Sequence, residues 1–167
     1  MLGRRGFTLI EIMVAILVMS VGILGVFSLV PMAISLGTDN SDKFTASQLA
    51  LEGLEIVRNI RDSNWLEQNI DPDNAWNEGL MGCADGCEVD YEDVRTNDPT
   101  LASYSGQPLR IDTNGFFNYY SDGVATKFKR KIIIDSGTDY VLNISVAMEW
   151  PSKYSPMILQ EKLYDWR

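Results

Sequence analysis

Three regimes of hydrophobic patterning follow one another along the chain. The first is unbroken. From Phe7 to Leu36 (FTLIEIMVAILVMSVGILGVFSLVPMAISL) there is no Lys, Arg or Asp and a single carboxylate, Glu11. As a helix these thirty residues would be roughly 45 Å long, enough to cross a hydrocarbon core of about 30 Å. Gly22, Gly25 and Pro31 punctuate the run. Pro31 removes one backbone donor and crowds the preceding turn, so a kink or a loosened segment is expected there. The two glycines allow close helix approach in an apolar setting.

The second regime has helical spacing. Gly37 to Asp42 (GTDNSD) reads as a polar break or frayed turn, with Ser41 or Asp42 placed to cap a following helix. From Phe44 to about Asp62, one stripe then gathers Ala46, Leu49, Ala50, Gly53, Val57 and Ile60, widened by Leu54 and Ile56. Glu52 and Glu55 fall on other faces, and Arg58 with Asp62 forms an i, i+4 pair. Such a helix should cover a sheet with its apolar face.

The third regime alternates. Pro108–Asp112 and Phe116–Tyr120 flank Thr113-Asn114-Gly115, a hairpin signal. Thr126 to Asp135 is β-rich, Ser136 to Asp139 makes a turn, and Tyr140 to Trp150 returns. On that return Leu142, Ile144, Val146 and Met148 alternate with Val141, Asn143, Ser145 and Ala147. Pro151 to Pro156 breaks the pattern before a last strand from Met157 to Trp166. In the basic cluster Lys127, Lys129, Arg130 and Lys131, the three lysines share a solvent face, and a solvated or salt-bridged strand explains them better than nucleic-acid binding.

Between the second and third regimes, Trp65 to Leu101 lacks periodicity and reads as a long loop with one short strand near Val89 to Tyr91. Asp71, Asp73, Asn74, Asn77 and Glu78 suggest a calcium loop, but Trp76 occupies the position where an EF-hand needs glycine, so solvated carboxylates are the better reading. Cys83 and Cys87 enclose Ala-Asp-Gly between Gly82 and Gly86, and in an oxidising compartment they are expected to form a disulfide rather than remain free thiols. With no histidine, His-ligated zinc, a His-based triad and the commonest general base are excluded, and with no second cysteine pair a metal site on Cys83 and Cys87 is disfavoured.

Charge adds a direction. The 167 residues carry a formal net charge of −9. Setting aside Arg4, Arg5 and Glu11, the part beyond Leu36 holds 12 basic and 22 acidic residues, a balance of −10. That disfavours capture of nucleic acid or of an anionic membrane surface by this part. Arg4 and Arg5 precede the apolar run, which predicts an N-terminus inside and the bulk of the chain outside. An ordinary secretory signal has a shorter apolar core followed by a small-x-small site. Here the small residue, Gly6, comes before the run.

The order Arg4-Arg5-Gly6-Phe7-Thr8-Leu9-Ile10-Glu11 followed by a long apolar helix resembles the type IV filament prepilins, a family of pilins and of type II secretion pseudopilins. The resemblance implies cleavage between Gly6 and Phe7 by a membrane prepilin peptidase, N-methylation of Phe7, and a role for Glu11 in subunit assembly. The stretch from Leu49 to Trp65 (LALEGLEIVRNIRDSNW) looks like the second half of the long helix in V-type minor pilins. Physically, a carboxylate in an apolar medium needs a partner. Cleavage would supply one, an ammonium on Phe7 with an ordinary pKa of about 8. Glu11 could then meet the ammonium of its own chain or that of a neighbour, and the family favours the neighbour.

The expected fold is therefore α+β: a long N-terminal helix, half apolar and half amphipathic, on an antiparallel sheet of four or five strands. Residues 1–6 read as leader, 7–36 as membrane and filament-core helix, and 37–167 as an extracytoplasmic domain. Within that domain 37–66 is helix, 67–106 loop and 107–167 sheet. The expected function is structural, that of a minor subunit of a type IV pilus or related filament, with no enzymatic activity and no cofactor. The alternative is a secretion pseudopilin, or a tip subunit that binds through the loop at 65–101. Implied partners are other pilin subunits, prepilin peptidase, an inner-membrane assembly platform and, before assembly, membrane lipid.

Overall fold

A computed structural model describes residues 6–93, 101–120 and 122–165. Among the described residues helix α1 runs Leu9–Glu67, and eight strands follow: β1 Cys87–Glu88, β2 Ala102–Ser103, β3 Arg110–Ile111, β4 Phe117–Asn118, β5 Val124–Ala125, β6 Lys129–Thr138, β7 Val141–Glu149 and β8 Met157–Tyr164. The expected α+β architecture is what the chain adopts. By its contacts the chain divides into two units, Met1–Asp42 and Lys43–Arg167.

In the first unit the helix begins with a capped turn. The Glu11 N–H donates to Thr8 Oγ1 at 3.3 Å, and the Thr8 carbonyl accepts from Glu11 and Ile12 N–H at 3.1 and 3.3 Å. Gly6, Phe7 and Thr8 lie outside the helix. Residues 37–42 are helical, so the expected polar break does not occur and neither Ser41 nor Asp42 caps a new helix. Scattered polar residues do not end a helix that lacks a stop signal: Gly37 has no proline after it, and the Thr38 hydroxyl donates back to the Ile34 carbonyl at 3.1 Å.

The second unit is a helix on a sheet. Ala46, Leu49, Ala50, Gly53, Leu54, Ile56, Val57 and Ile60 are all buried, as the stripe predicts. Gly53 permits the close approach, for a Cβ there would sit 3.0 Å from Arg130 Cδ and 3.2 Å from Ile132 Cδ1. The main sheet has order β2-β1-β6-β7-β8, and β4-β3-β5 form a second, smaller one. All pairings are antiparallel. Strands β6 to β8 supply the buried side chains Ile132, Ile134, Leu142, Ile144, Val146, Met148 and Leu163. The alternation along β7 is the predicted one, and the Thr113-Asn114-Gly115 hairpin joins β3 to β4 with Ile111 opposite Phe117.

Three details depart from expectation. The short strand lies at Cys87–Glu88 rather than near Val89 to Tyr91, because Cys87 pairs with both Ser103 and Ile132. Arg58 bonds Glu55 and, at 2.6 Å, Glu161 of β8 instead of Asp62, which takes Arg61 at 2.7 Å. A cross-element carboxylate out-competes the one on the next turn, and it raises the Arg58 pKa above its ordinary value. The third is Arg130, which is 0 % exposed rather than part of a solvated cluster. Its Nη1 donates to the Leu49 carbonyl at 2.9 Å and to Glu52 Oε1 at 3.2 Å, and its Nη2 to the Val89 carbonyl at 2.5 Å. Its Nε has no hydrogen-bond partner among the described residues.

Cys83 and Cys87 form a disulfide, with Cα atoms 5.3 Å apart and both side chains buried. Gly86 makes the enclosed turn at φ 108°, and a Cβ there would lie 2.1 Å from Lys131 Cε. The turn is tied to the sheet by Ile134 N–H donating to the Cys83 carbonyl at 3.2 Å.

Candidate functional site: the N-terminal segment

The apolar half of α1 is a helix without a core of its own. Within Leu9–Glu67 an 18-residue window has mean hydropathy 2.7, and none of it is buried. Phe7 is 79 % exposed, Ile16 62 % and Phe27 71 %. Twenty large apolar side chains between Phe7 and Leu36 are exposed in this way. At about 1.5 kcal/mol or more each, leaving them in water would cost on the order of 30 kcal/mol. This half therefore requires an apolar surrounding.

Its polar groups are already suited to one. Ser20 Oγ donates to the Ile16 carbonyl at 2.6 Å and Ser28 Oγ to the Gly25 carbonyl at 2.8 Å. These hydroxyls thus find acceptors within the helix, as side chains facing hydrocarbon must. Pro31 lies inside the helix, where it lacks the N–H that would bond the carbonyl of Phe27 one turn back.

Glu11 is the acidic residue of the first turn, where the positive end of the helix dipole favours it. It is exposed, and Phe7, Glu11, Ile12, Ala15 and Met19 line one shallow groove along the helix. The structure thus brings Phe7 and Glu11 to one face. Gly6 is exposed in the non-helical lead-in. Arg4 and Arg5 lie outside the described residues. Thr8 is the functional residue that the hydrophobic pattern did not single out. Its signal was present: Thr8-Leu9-Ile10-Glu11 has the T-x-x-E spacing of a capping box, whose forward hydrogen bond is the one observed.

The first 27 residues match the family described as the prokaryotic N-terminal methylation motif. The N-terminal segment is that of a type IV prepilin- or pseudopilin-like protein. Comparison with curated proteins and with solved structures finds no match. The match ends within the exposed apolar helix, so the prepilin-like assignment rests on that segment together with the pilin-like plan of a long helix and an antiparallel sheet. The motif is a structural one and defines no enzyme class.

Proposed function

We propose that the chain is a structural subunit, of the minor kind, in a type IV pilus or related filament. The observation that supports this best is the methylation motif running directly into a helix whose apolar side chains are all left uncovered. In this reading Arg4 and Arg5 hold the leader on the cytoplasmic side and prepilin peptidase cuts between Gly6 and Phe7. The new amino group of Phe7 is then methylated, and the helix waits in the lipid of the cytoplasmic membrane until an assembly platform extracts it. In the polymer other subunits replace lipid around the helix, and the globular unit faces the exterior.

Glu11 is the registering group. A carboxylate in an apolar bundle is costly without a partner, and the Phe7 ammonium of the preceding subunit is the partner that docking supplies. Contacts of this sort are heterologous and do not close, so they propagate into a fibre. Mass spectrometry of the mature chain should find it beginning at Phe7 and heavier by one methyl group. Glu11→Lys should insert into the membrane normally and disappear from filaments. Retention of residues 1–6 in mature material, or normal filaments from the Glu11→Lys variant, would refute the reading.

A further inference from the structure

Strand β8 ends the main sheet and has a neighbouring strand only on its β7 side. It pairs along its whole length, Met157 to Tyr164, and no proline interrupts it. One bond fixes which of its amides that pairing uses: the Asp165 N–H donates to the Tyr140 carbonyl at 2.9 Å. Antiparallel ladders bond every second residue, so Leu163, Glu161, Leu159 and Met157 continue the series toward β7. The Trp150 N–H, two residues beyond Met148, agrees, since it points to the β8 side and bonds Ser155 Oγ at 3.1 Å. The backbone N–H and carbonyl groups of Ile158, Gln160, Lys162 and Tyr164 therefore face away from β7. None of these groups has a partner among the described residues.

Long edges are normally blunted by a proline, a bulge or a charge on either face. Here Lys162 stands on the outward face and Glu161 on the inward one, and Arg58 neutralises Glu161 at 2.6 Å. Ile158 and Tyr164 are 57 % and 51 % exposed on the outward face. On the inward side, a hollow of about 470 Å³ opens between β8 and α1. Its lining includes Leu51, Leu54, Glu52, Glu55, Arg58 and Glu161, and no residue of β6 or β7. It therefore lies along the free side of β8. Leu51 is exposed in it, and its carboxylates outnumber its one guanidinium three to one.

Resting on the filament reading above, we propose that β8 accepts an extended segment of a sibling subunit, of different sequence, as a sixth strand of the main sheet. A row of backbone donors and acceptors at strand spacing is matched only by another extended chain. The hollow then selects among such chains: Leu51 takes an aliphatic side chain, and Glu52 and Glu55 take a basic one. A second copy of this chain does not fit the edge. Its other free-edged strands, β2, β4 and β5, have two residues each. Pairing β8 with its own twin about a twofold axis leaves the two copies level or reversed, whereas the Phe7–Glu11 register staggers subunits in one direction. The strand therefore comes from a neighbour of another kind, the neighbour that a minor subunit has.

Hydrogen exchange, read amide by amide on the membrane-held chain and on assembled filaments, tests this directly. The amides of Ile158, Gln160, Lys162 and Tyr164 should exchange freely in the first and slow by about a hundredfold or more in the second. Gln160→Pro removes one outward N–H and spares the β7–β8 ladder, as proline on an edge strand does. Gln160→Ala is its control, because the Gln160 amide also donates to Ser145 Oγ at 3.0 Å. The two variants should unfold at similar midpoints, with the proline variant roughly tenfold scarcer in filaments. Ile158→benzoylphenylalanine should capture by photo-cross-linking a sibling segment that carries Lys or Arg. Filaments that hold the chain while the four amides still exchange freely, or capture of a second copy, would overturn the strand addition and leave the filament role intact. A chain absent from every filament would overturn both.

Discussion

The two halves of α1 are built from much the same aliphatic residues and reach opposite outcomes. From Ala46 to Ile60 the helix hides a stripe of eight residues against its own sheet and offers polar side chains elsewhere. From Phe7 to Leu36 it hides nothing. One half satisfies the hydrophobic effect within the chain, whereas the other defers it to the surroundings, first lipid and then sibling helices in the proposed polymer. The position of polar residues, rather than the number of apolar ones, makes the difference: the second half alternates at helical period, and the first has only Glu11 and a few hydroxyls.

The sharpest way to break this contrast is to separate the halves. Residues 43–167 alone should be soluble without detergent and unfold cooperatively, while the full chain should require detergent or lipid; aggregation of the isolated unit would show that its core is incomplete. Next in size is Arg130→Ala, which removes a fully buried side chain and orphans the Val89 carbonyl. A loss of about 3 kcal/mol in denaturant unfolding is expected, with no change in membrane insertion.

Replacing Cys83 and Cys87 together by Ser should cost about 2 kcal/mol, the value for closing so short a loop. The unpaired turn should also loosen β1, visible as faster amide exchange at Cys87 and Glu88. The smallest effect is alkaline. Burial of Tyr119, whose hydroxyl donates to the Arg130 carbonyl at 3.0 Å, raises its phenol pKa well above the ordinary value. The folded state keeps a proton that the unfolded chain releases above about pH 10. Stability is therefore full below that pH and declines above it. Tyr119→Phe should flatten the decline.

Much of the fold was legible because periodicity is a direct record of which side faces the core. The helix stripe and the alternation along β7 are examples. Arg130 was legible too, in hindsight: it shares parity with Phe128, Ile132 and Ile134, all buried, and the lysines beside it obscured that. Strands β2 and β5 were not, since two-residue strands are too short to alternate and owe their pairing to distant partners. The uninterrupted helix across residues 37–42 was missed because polar composition suggests a break, whereas ending a helix takes a specific stop. In the N-terminal segment the leader, glycine and carboxylate spacing were readable, while the cap at Thr8 went unnoticed beside a stronger signal.

That cap has a consequence for processing. Proteases grip their substrates as extended chain, and a bond wound into a helix must first be unravelled. With the coil starting at Leu9 and capped by the Thr8 hydroxyl, the Gly6–Phe7 linkage is left outside the helix and exposed, two residues short of the first turn. The proposed scissile bond is thereby presented ready to cut, while the segment meant to survive is already wound.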